Sequence, residues 1–508
     1  MTAVIPYVSK APQGRAGFAQ LVRAEWTKFR TIRAWVIGSL LAVGATVVFG
    51  LLGSSVQGSC NVAACDVPTG PGGEAVADGF TFVHRSLAGD GSITARVGAL
   101  TAEDTAPPGE RNVLPEWAKA GVIVKASTKP GSAYAAVLLT PGHGVRMQYD
   151  FTHDLAGPAT ARWVRLTRAG RTLTGYASAD GVTWTRIGSA RLSGLPQTVE
   201  AGMFTTSPQY TRVSSGVGLS AETWPTTATA RFDQVRTTGG WASGAWHGTW
   251  PSGQGLGPEG PGPANGFQES GGVFTVTGTG DIAPDVAGVV GLGVTPGRIL
   301  AGAFAGLIAV VVIGALYITA EHRRGLIRTT LVASPRRARV LAAKALVLGA
   351  VAFAVGMVGA AITVPLGDRM VWSGGGYVIR VAPPAMVRVI VGTGLLFAAA
   401  AVLALGIGSI LRRSAVSVAA VIMLIIVPYI LAYGAIVPPG ATQWLARITP
   451  AAAFAIQQVI PRYHQVSGIY APAEGFYPLS PWAGLGVLCA YAAVALGAAM
   501  VLLRRRDA

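Results

Sequence analysis

Charged side chains gather between two apolar runs in YITAEHRRGLIRTTLVASPRRARVLAAK, Tyr317 to Lys344. Within it Glu321, His322, Arg323, Arg324, Gly325, Arg328, Thr329, Pro335 and Arg336 supply a carboxylate, an imidazole, several guanidiniums and two backbone breakers. These types form no catalytic constellation; they suit ion pairing and the docking of a partner. Apolar runs flank the stretch on both sides, each long enough to cross a bilayer, for which roughly 20 mostly apolar residues suffice. A short connection so rich in Arg and Lys stays on the cytoplasmic side. Glu321 closes the incoming helix and Gly325 breaks it. Leu326, Ile327 and Leu331 then give the loop an apolar edge. Ser334 is placed as N-cap of the next helix, with Pro335 at its first position, where a missing N–H costs nothing. The segment reads as a small amphipathic element under the membrane; the alternative is a positively charged loop that only holds topology, and the Gly and Ser-Pro punctuation weighs against it.

A second charged stretch precedes the first apolar run. FAQLVRAEWTKFRTIR, Phe18 to Arg33, sets apolar residues at helical spacing, with Glu25, Trp26, Lys28 and Arg30 among them. It reads as an amphipathic helix lying on the membrane surface. Cys60 and Cys65 follow that run and face an oxidising exterior on this topology, which predicts a local disulfide over two free thiols. With no His pair nearby they make no metal site. Cys489, inside the last apolar run, reads as a small packing residue.

The elements that must hold these residues follow from composition. Of 508 residues, 51% are hydrophobic and only 12% charged, as expected of a membrane protein. The net charge of +17 is gathered beside apolar runs, which explains it by membrane orientation and excludes nucleic-acid binding. Spans are expected at Trp35–Leu52, Ile299–Ala320, Val340–Val364, Val389–Leu411, Ala415–Val437 and Trp482–Leu503, about six crossings in all. The first is longer than a cleaved signal's apolar region. Arg412, Arg413 and Arg504–Arg506 then fall inside with both termini, while Arg369, Arg380, Arg447 and Arg462 fall outside over longer loops. Gly392, Gly394, Gly406 and Gly408 give the fourth span small faces for close packing. Ala441–Pro461 is too broken to span and is expected as short helices on the outer membrane surface.

Between the first two spans, positions 56–295 change character to alternating runs separated by turn signals. Ser92–Leu100, Ala120–Ser127, Ser132–Thr140, Arg162–Gly170, Arg171–Ser178 and Thr229–Thr237 read as strands, and Asp180-Gly181 as a hairpin turn. The fold class is therefore an α-helical polytopic membrane protein of about six spans with a large extracytoplasmic all-β sandwich inserted between spans 1 and 2. The domain boundaries are 1–33 for the cytoplasmic tail and interfacial helix, 34–55 for the first span, 56–295 for the β insert with its Gly/Pro-rich tether, and 296–508 for the remaining spans with the loop 321–339. Trp117, Tyr134 and Tyr149 are the candidates for contact with a glycan, whereas Trp163 and Trp184 are expected in the core. His84, His143 and His153 read as surface or turn residues. No paired carboxylates of the kind glycosidases use stand out.

The Glu-x-x-x-Gly, Arg-Thr-Thr-Leu, Pro-Arg-Arg and Ala-Lys pattern from Glu321 onward resembles the ABC-2 type permeases. Glu25-Trp26-Thr27-Lys28 and Thr449-Pro450-Ala451-Ala452 are similar to other parts of that family. The resemblance implies that the basic loop docks on a separate ATP-binding-cassette subunit, and that a second permease copy completes the transporter, as homodimer or heterodimer. Since the chain contains no Gly-x-x-x-x-Gly-Lys-[Ser/Thr] phosphate loop, ATP would act through the partner and this chain would bind no cofactor. Asp78-Gly79-Phe80, Gly89-Asp90-Gly91-Ser92, Trp117–Gly121 and the Ser178–Trp184 turn resemble a concanavalin-A-like, laminin-G-type jelly roll. That resemblance implies binding of a cell-envelope glycan. GGVFTVTGTGDIA, Gly271 to Ala283, resembles a strand of the same module and reads as an edge strand, a remnant second copy or a tether. A plasma-membrane permease of an exporter is the leading reading; the alternative is a non-transporting receptor that displays the jelly roll.

Overall fold

The computed structural model describes residues 17–54, 68–103, 113–216, 218–251, 266–286, 293–325, 336–374, 376–379, 381–434, 436–468 and 470–506. Cys60, Cys65, Arg328, Thr329 and Pro335 lie outside these residues, as do Ser334 and the apolar edge of the basic loop.

Among the described residues 6 helices are long and apolar enough to cross a membrane. The short helix α1 (Phe18–Thr31) precedes α2 (Arg33–Ser54), the first span, with Ile32 extended between them. The second span opens at α3 (Pro296–Ile299), passes a 3-10 turn at Leu300–Gly302 and continues as α4 (Ala303–Arg323). The remaining spans are α5 (Arg337–Ser373), α6 (Pro383–Leu411), α7 (Ser414–Tyr433) and α9 (Pro481–Arg506). The short α8 (Pro439–Ile448) precedes a 3-10 segment, Pro450–Gln457. All six expected spans are present. The third runs on past Pro365 to Ser373, well beyond its apolar stretch.

The central helix is α6, which packs against α4, α5, α7 and α9. Its glycines make those contacts close: a Cβ on Gly394 would meet Phe353 O at 2.8 Å, and one on Gly408 would meet Ile318 Cγ2 at 2.8 Å. Arg412 ends α6 in the left-handed conformation (φ 57°), and α7 starts at Ser414, so Arg412 and Arg413 alone join the two. The segment Ala441–Pro461 departs from expectation. α8 is amphipathic and exposes Trp444 and Ile448, but all eight residues of the following 3-10 segment are buried inside the bundle. Glycines make the room: a Cβ on Gly392 of α6 would lie 2.2 Å from Ile456, and one on Gly484 of α9 would lie 2.2 Å from Ala452 O. Cys489 is exposed on α9 and does not pack inward.

The insert is a β sandwich. Its backbone is β2 (Thr81–Val97), which follows β1 (Val76–Asp78) and bends over at Gly89–Gly91 so that its two halves belong to different layers. The first half pairs with β11 (Thr198–Thr206), which leads to β4 (Lys119–Lys125), β5 (Tyr134–Thr140), β6 (Gly144–Tyr149) and β7 (His153–Ala156). The second half pairs with β8 (Trp163–Ala169), then β9 (Thr172–Ser178) and β10 (Thr185–Arg191). Val122, Val137, Met147 and Met203 of one layer meet Val164, Leu166, Leu173 and Ala177 of the other in one core. β8 and β9 alternate inward apolar residues with half-buried outward ones, the period of two along a strand, whereas β4 and β5 are buried on both faces. Asp180 caps the β9–β10 turn: its Oδ1 accepts from Val182 N and Thr183 N, both at 2.8 Å, and these N–H groups hold its carboxyl well below the usual carboxylate range. β14 (Thr227–Trp241) pairs along β2 and accepts β17 (Val273–Gly278) on its other side, so Gly271–Ala283 joins the sandwich as paired strand. β18 (Ile282–Pro284) then pairs with β1 across the outer face of the β4–β5 layer.

That strap buries charge. Lys125 Nζ donates to Asp78 Oδ2 at 2.6 Å with both side chains fully enclosed, and Lys119 Nζ donates to Asp281 Oδ1 at 2.6 Å. Burial raises the Asp78 carboxyl and lowers the Lys125 ammonium, against the attraction between them. Each charge has a direct partner, as buried charges require.

The sandwich sits on the bundle through the strap. Ala283 and Val286 pack with Val466 and Phe476 from the connection between the 3-10 segment and α9. Gln465 Nε2 also donates to Phe151 O at 3.2 Å.

Candidate functional site

At the end of the bundle opposite the sandwich, three helices bring four charges together. α1 contributes Glu25 and Lys28, α4 contributes Glu321 with Tyr317 one turn before it, and α5 contributes Lys344. Lys344 Nζ donates to Glu25 Oε2 at 2.8 Å and to Glu321 Oε1 at 2.7 Å. Lys28 Nζ closes the ring at 3.0 Å from Glu25 Oε1 and 3.3 Å from Glu321 Oε1. Tyr317 donates its hydroxyl to Glu25 Oε2 at 2.9 Å. Lys344 and Glu25 are buried, with side chains only 1% and 4% exposed.

The local sequence explains this arrangement. α1 turns Glu25 and Phe29 inward, one turn apart, and leaves Trp26 and Arg30 exposed on the other side. Lys28 and Arg30 also lie in the last turn, where cations complement the helix dipole. Phe29 and Trp35 pack on the Tyr317 ring, with centroids 6.0 and 5.8 Å away, which positions the hydroxyl toward Glu25. α4 ends at Arg323, and Gly325 follows at φ 70°, a conformation that suits a residue without Cβ. Glu321 therefore lies in the last turn, pointing across to α1 and α5.

Two carboxylates and two ammoniums balance, so the ring is neutral as a whole. Burial alone would raise the Glu25 carboxyl, but Lys344, and Lys28 after it, overcome this and hold it below the usual carboxylate range. Burial likewise opposes the Lys28 charge, and Glu25 and Glu321 outweigh it and raise the ammonium. Glu321 keeps one oxygen, Oε2, enclosed and without a hydrogen-bond partner among the described residues. The ring is an ionic joint that ties a surface helix to two spans.

Around this joint several of the other sequence-marked residues face outward. Arg323, Arg324 and Gly325 are exposed, and so is Arg336, which caps α5. His322 Nδ1 lies 3.0 Å from Ile318 O. Arg337 donates to Leu503 O at 2.6 Å, tying the start of α5 to the end of α9. The sequence reading missed the roles of Lys344 and Tyr317. The available signal was a lone ammonium inside the apolar start of α5, since ionisable groups in spans are costly and keep a partner.

The aromatic candidates on the sandwich are not gathered into one platform. Tyr134 is fully buried beneath the β1–β18 strap and presents no ring face to a ligand. Trp117 is nearly enclosed and stacks on His143 at 3.9 Å, while Tyr149 stacks on His153 at 4.3 Å. Trp163 and Trp184 are half-buried, not core: Trp163 alternates with the inward Val164 and Leu166 on β8, and the Arg165 guanidinium lies over the Trp184 ring at 3.8 Å from its centre. His84 is buried, contrary to expectation, and its Nδ1 lies 2.6 Å from Glu200 Oε2.

Comparison with known proteins gives one family. The model of the ABC-2 family transporter protein matches residues 123–508, more than half of the chain, beginning inside the sandwich. No curated protein matches. A crystal structure of a functionally unknown protein from Saccharomyces cerevisiae aligns at 15% identity, covering 32% of this chain and 75% of that one, with a TM-score of 0.18. A likeness that distant supports no fold assignment.

Proposed function

From the premise that the chain belongs to the ABC-2 transporter family, we propose that it is the membrane subunit of an ATP-driven exporter whose ATPase is a separate polypeptide. The segment from Glu321 to Arg339 would be the ATPase's docking site. The observation that carries this reading is the Glu25–Lys28–Glu321–Lys344 ring, because it sits at the base of that segment and joins both flanking spans to α1. A displacement imposed on the end of α4 is transmitted to α5 and α1 through short ionic contacts, without lateral slip. Arg323, Arg324 and Arg336 supply exposed cations beside the joint for an acidic partner surface.

The ends of α4, α6 and α9 and the start of α5 share this side of the bundle with Arg412, Arg413, Arg504 and Arg505. The excess of cations supports a cytoplasmic face here, with both termini inside and the sandwich outside in the plasma membrane. The exporter reading includes a second permease copy, homologous or identical. Of the three aromatic candidates, the half-buried Tyr149 is the one through which the sandwich would meet an envelope glycan.

Purification of the full chain from its native membrane in mild detergent tests this. The expected result is co-purification of an ATP-binding-cassette subunit with the wild type and its loss from the Arg323→Glu, Arg324→Glu double variant. Absence of any ATPase from the wild-type preparation, or undiminished recovery with the double variant, would overturn the docking assignment.

A further inference from the structure

The opposite end of the bundle holds a cavity of ≈ 730 Å³ that the coupling reading does not use. α6 sends Arg388 into its wall, α8 sends Gln443 and Arg447, and the connection before α9 sends Arg462, Tyr470 and Tyr477. Much of the rest is aliphatic or proline, including Val437, Val459 and Ile460. Among the described residues the lining therefore carries three guanidiniums and no carboxylate. Arg388 donates to Gln458 O at 2.6 Å, which fixes its direction and leaves its charge uncompensated. Arg462 lies over the Tyr470 ring at 5.1 Å. Among the described residues none of these three arginines has a carboxylate within ion-pair distance. Glu474, on the same connection, is held by Arg298 at 2.9 Å.

Like charges gathered in a partly enclosed wall repel one another and favour an anion. Guanidinium groups offer forked donors that match phosphate or carboxylate oxygens. The volume falls within the range of small-molecule sites. A second feature bears on the ligand's other end. On α8, Gln443 and Arg447 form the cavity stripe, and Trp444 and Ile448 form the adjoining stripe, 63% and 56% exposed. Ile436, just before α8, is also exposed. An apolar track thus runs beside a cationic cavity at the end of the spans, the level at which lipid headgroups meet hydrocarbon.

We propose that this cavity binds an anionic amphiphile, its phosphate or carboxylate between Arg388, Arg447 and Arg462 and its hydrocarbon chain along Trp444 and Ile448. The site is built from residues remote from the ionic ring, so it stands or falls independently of the ATPase assignment.

The full chain in detergent would be exposed to equimolar phosphatidylglycerol and phosphatidylcholine and the retained lipid measured by native mass spectrometry. The expected result is retention of the anionic lipid at least about tenfold over the zwitterionic one, in line with bidentate guanidinium recognition. Arg388→Gln with Arg447→Gln removes that preference. Arg447→Gln alone, on the exposed α8, reduces it with no risk to the fold. Arg504→Gln, at the other end, leaves it intact. Equal retention of the two lipids, an unchanged preference in both cavity variants, or full displacement of the lipid by millimolar inorganic phosphate would overturn the amphiphile site; the last would assign it to free anions.

Discussion

Lys344 serves two carboxylates that come from different helices, 2.8 and 2.7 Å away. Removing its ammonium leaves Glu25 and Glu321 facing each other with only the half-exposed Lys28 to balance them. Breaking one side of a buried ion pair costs about 3–5 kcal/mol, because the remaining charge stays desolvated. Lys344→Met, which keeps the stem, is therefore expected to lower unfolding stability in detergent by that order, and adding Glu25→Gln should restore part of the loss. Identical denaturation curves for Lys344→Met and wild type would show the ring to be idle. At this scale the sequence was half legible. A cation alone in an apolar run announces that it has a partner, but Glu25 lies 319 positions away and only the packing of α1 under α4 and α5 identifies it.

Elements were easier to read than their destinations. Apolar length located every span, since no soluble helix needs so long an unbroken run. The small-residue face of α6 was equally plain, yet its partners were not: Gly406 abuts Ala495 and Leu496 on α9, where a Cβ would sit 2.9–3.0 Å from backbone and side-chain atoms. Gly406→Leu is expected to force α9 outward and destabilise the bundle by roughly 1–3 kcal/mol, the usual cost of overpacking. Gly486→Leu, on α9 where nothing lies within 4 Å, should unfold like wild type. Equal melting temperatures for the two variants would contradict the packing described. The buried 3-10 segment was illegible for a related reason. Pro450–Gln457 is apolar but too short to announce burial, and its place depends on two glycines, Gly392 and Gly484, contributed by helices elsewhere in the chain.

At the scale of the whole molecule, the contact between sandwich and bundle carries its own titration. Asp285 lies between Ala283 and Val286, which pack against Val466 and Phe476, and burial pushes its carboxyl up to about 6. An unfolded aspartate titrates near 3.9. The folded value is the higher one, so protonation favours the docked state: its contribution is full below about pH 4 and is lost as pH rises through about 6. Protection of the Val466–Phe476 amides, taken relative to their intrinsic exchange rate at each pH, is expected to fall over that window in wild type and to stay level in Asp285→Asn. A pH-independent wild type would refute the linkage. Turn signals and alternation made the insert legible as all-β, and six of its strands were in view. The strap was not, because Lys119 and Lys125 look like outward strand positions until β1 and β18 cover them. One last property follows from the joint at Arg412 and Arg413. A two-residue connection that begins with a left-handed residue leaves no spare chain between α6 and α7. At that end the pair has the kinematics of a folded rule riveted at one corner. Since α6 also packs on α4, α5 and α9, α7 inherits every tilt that those three impose.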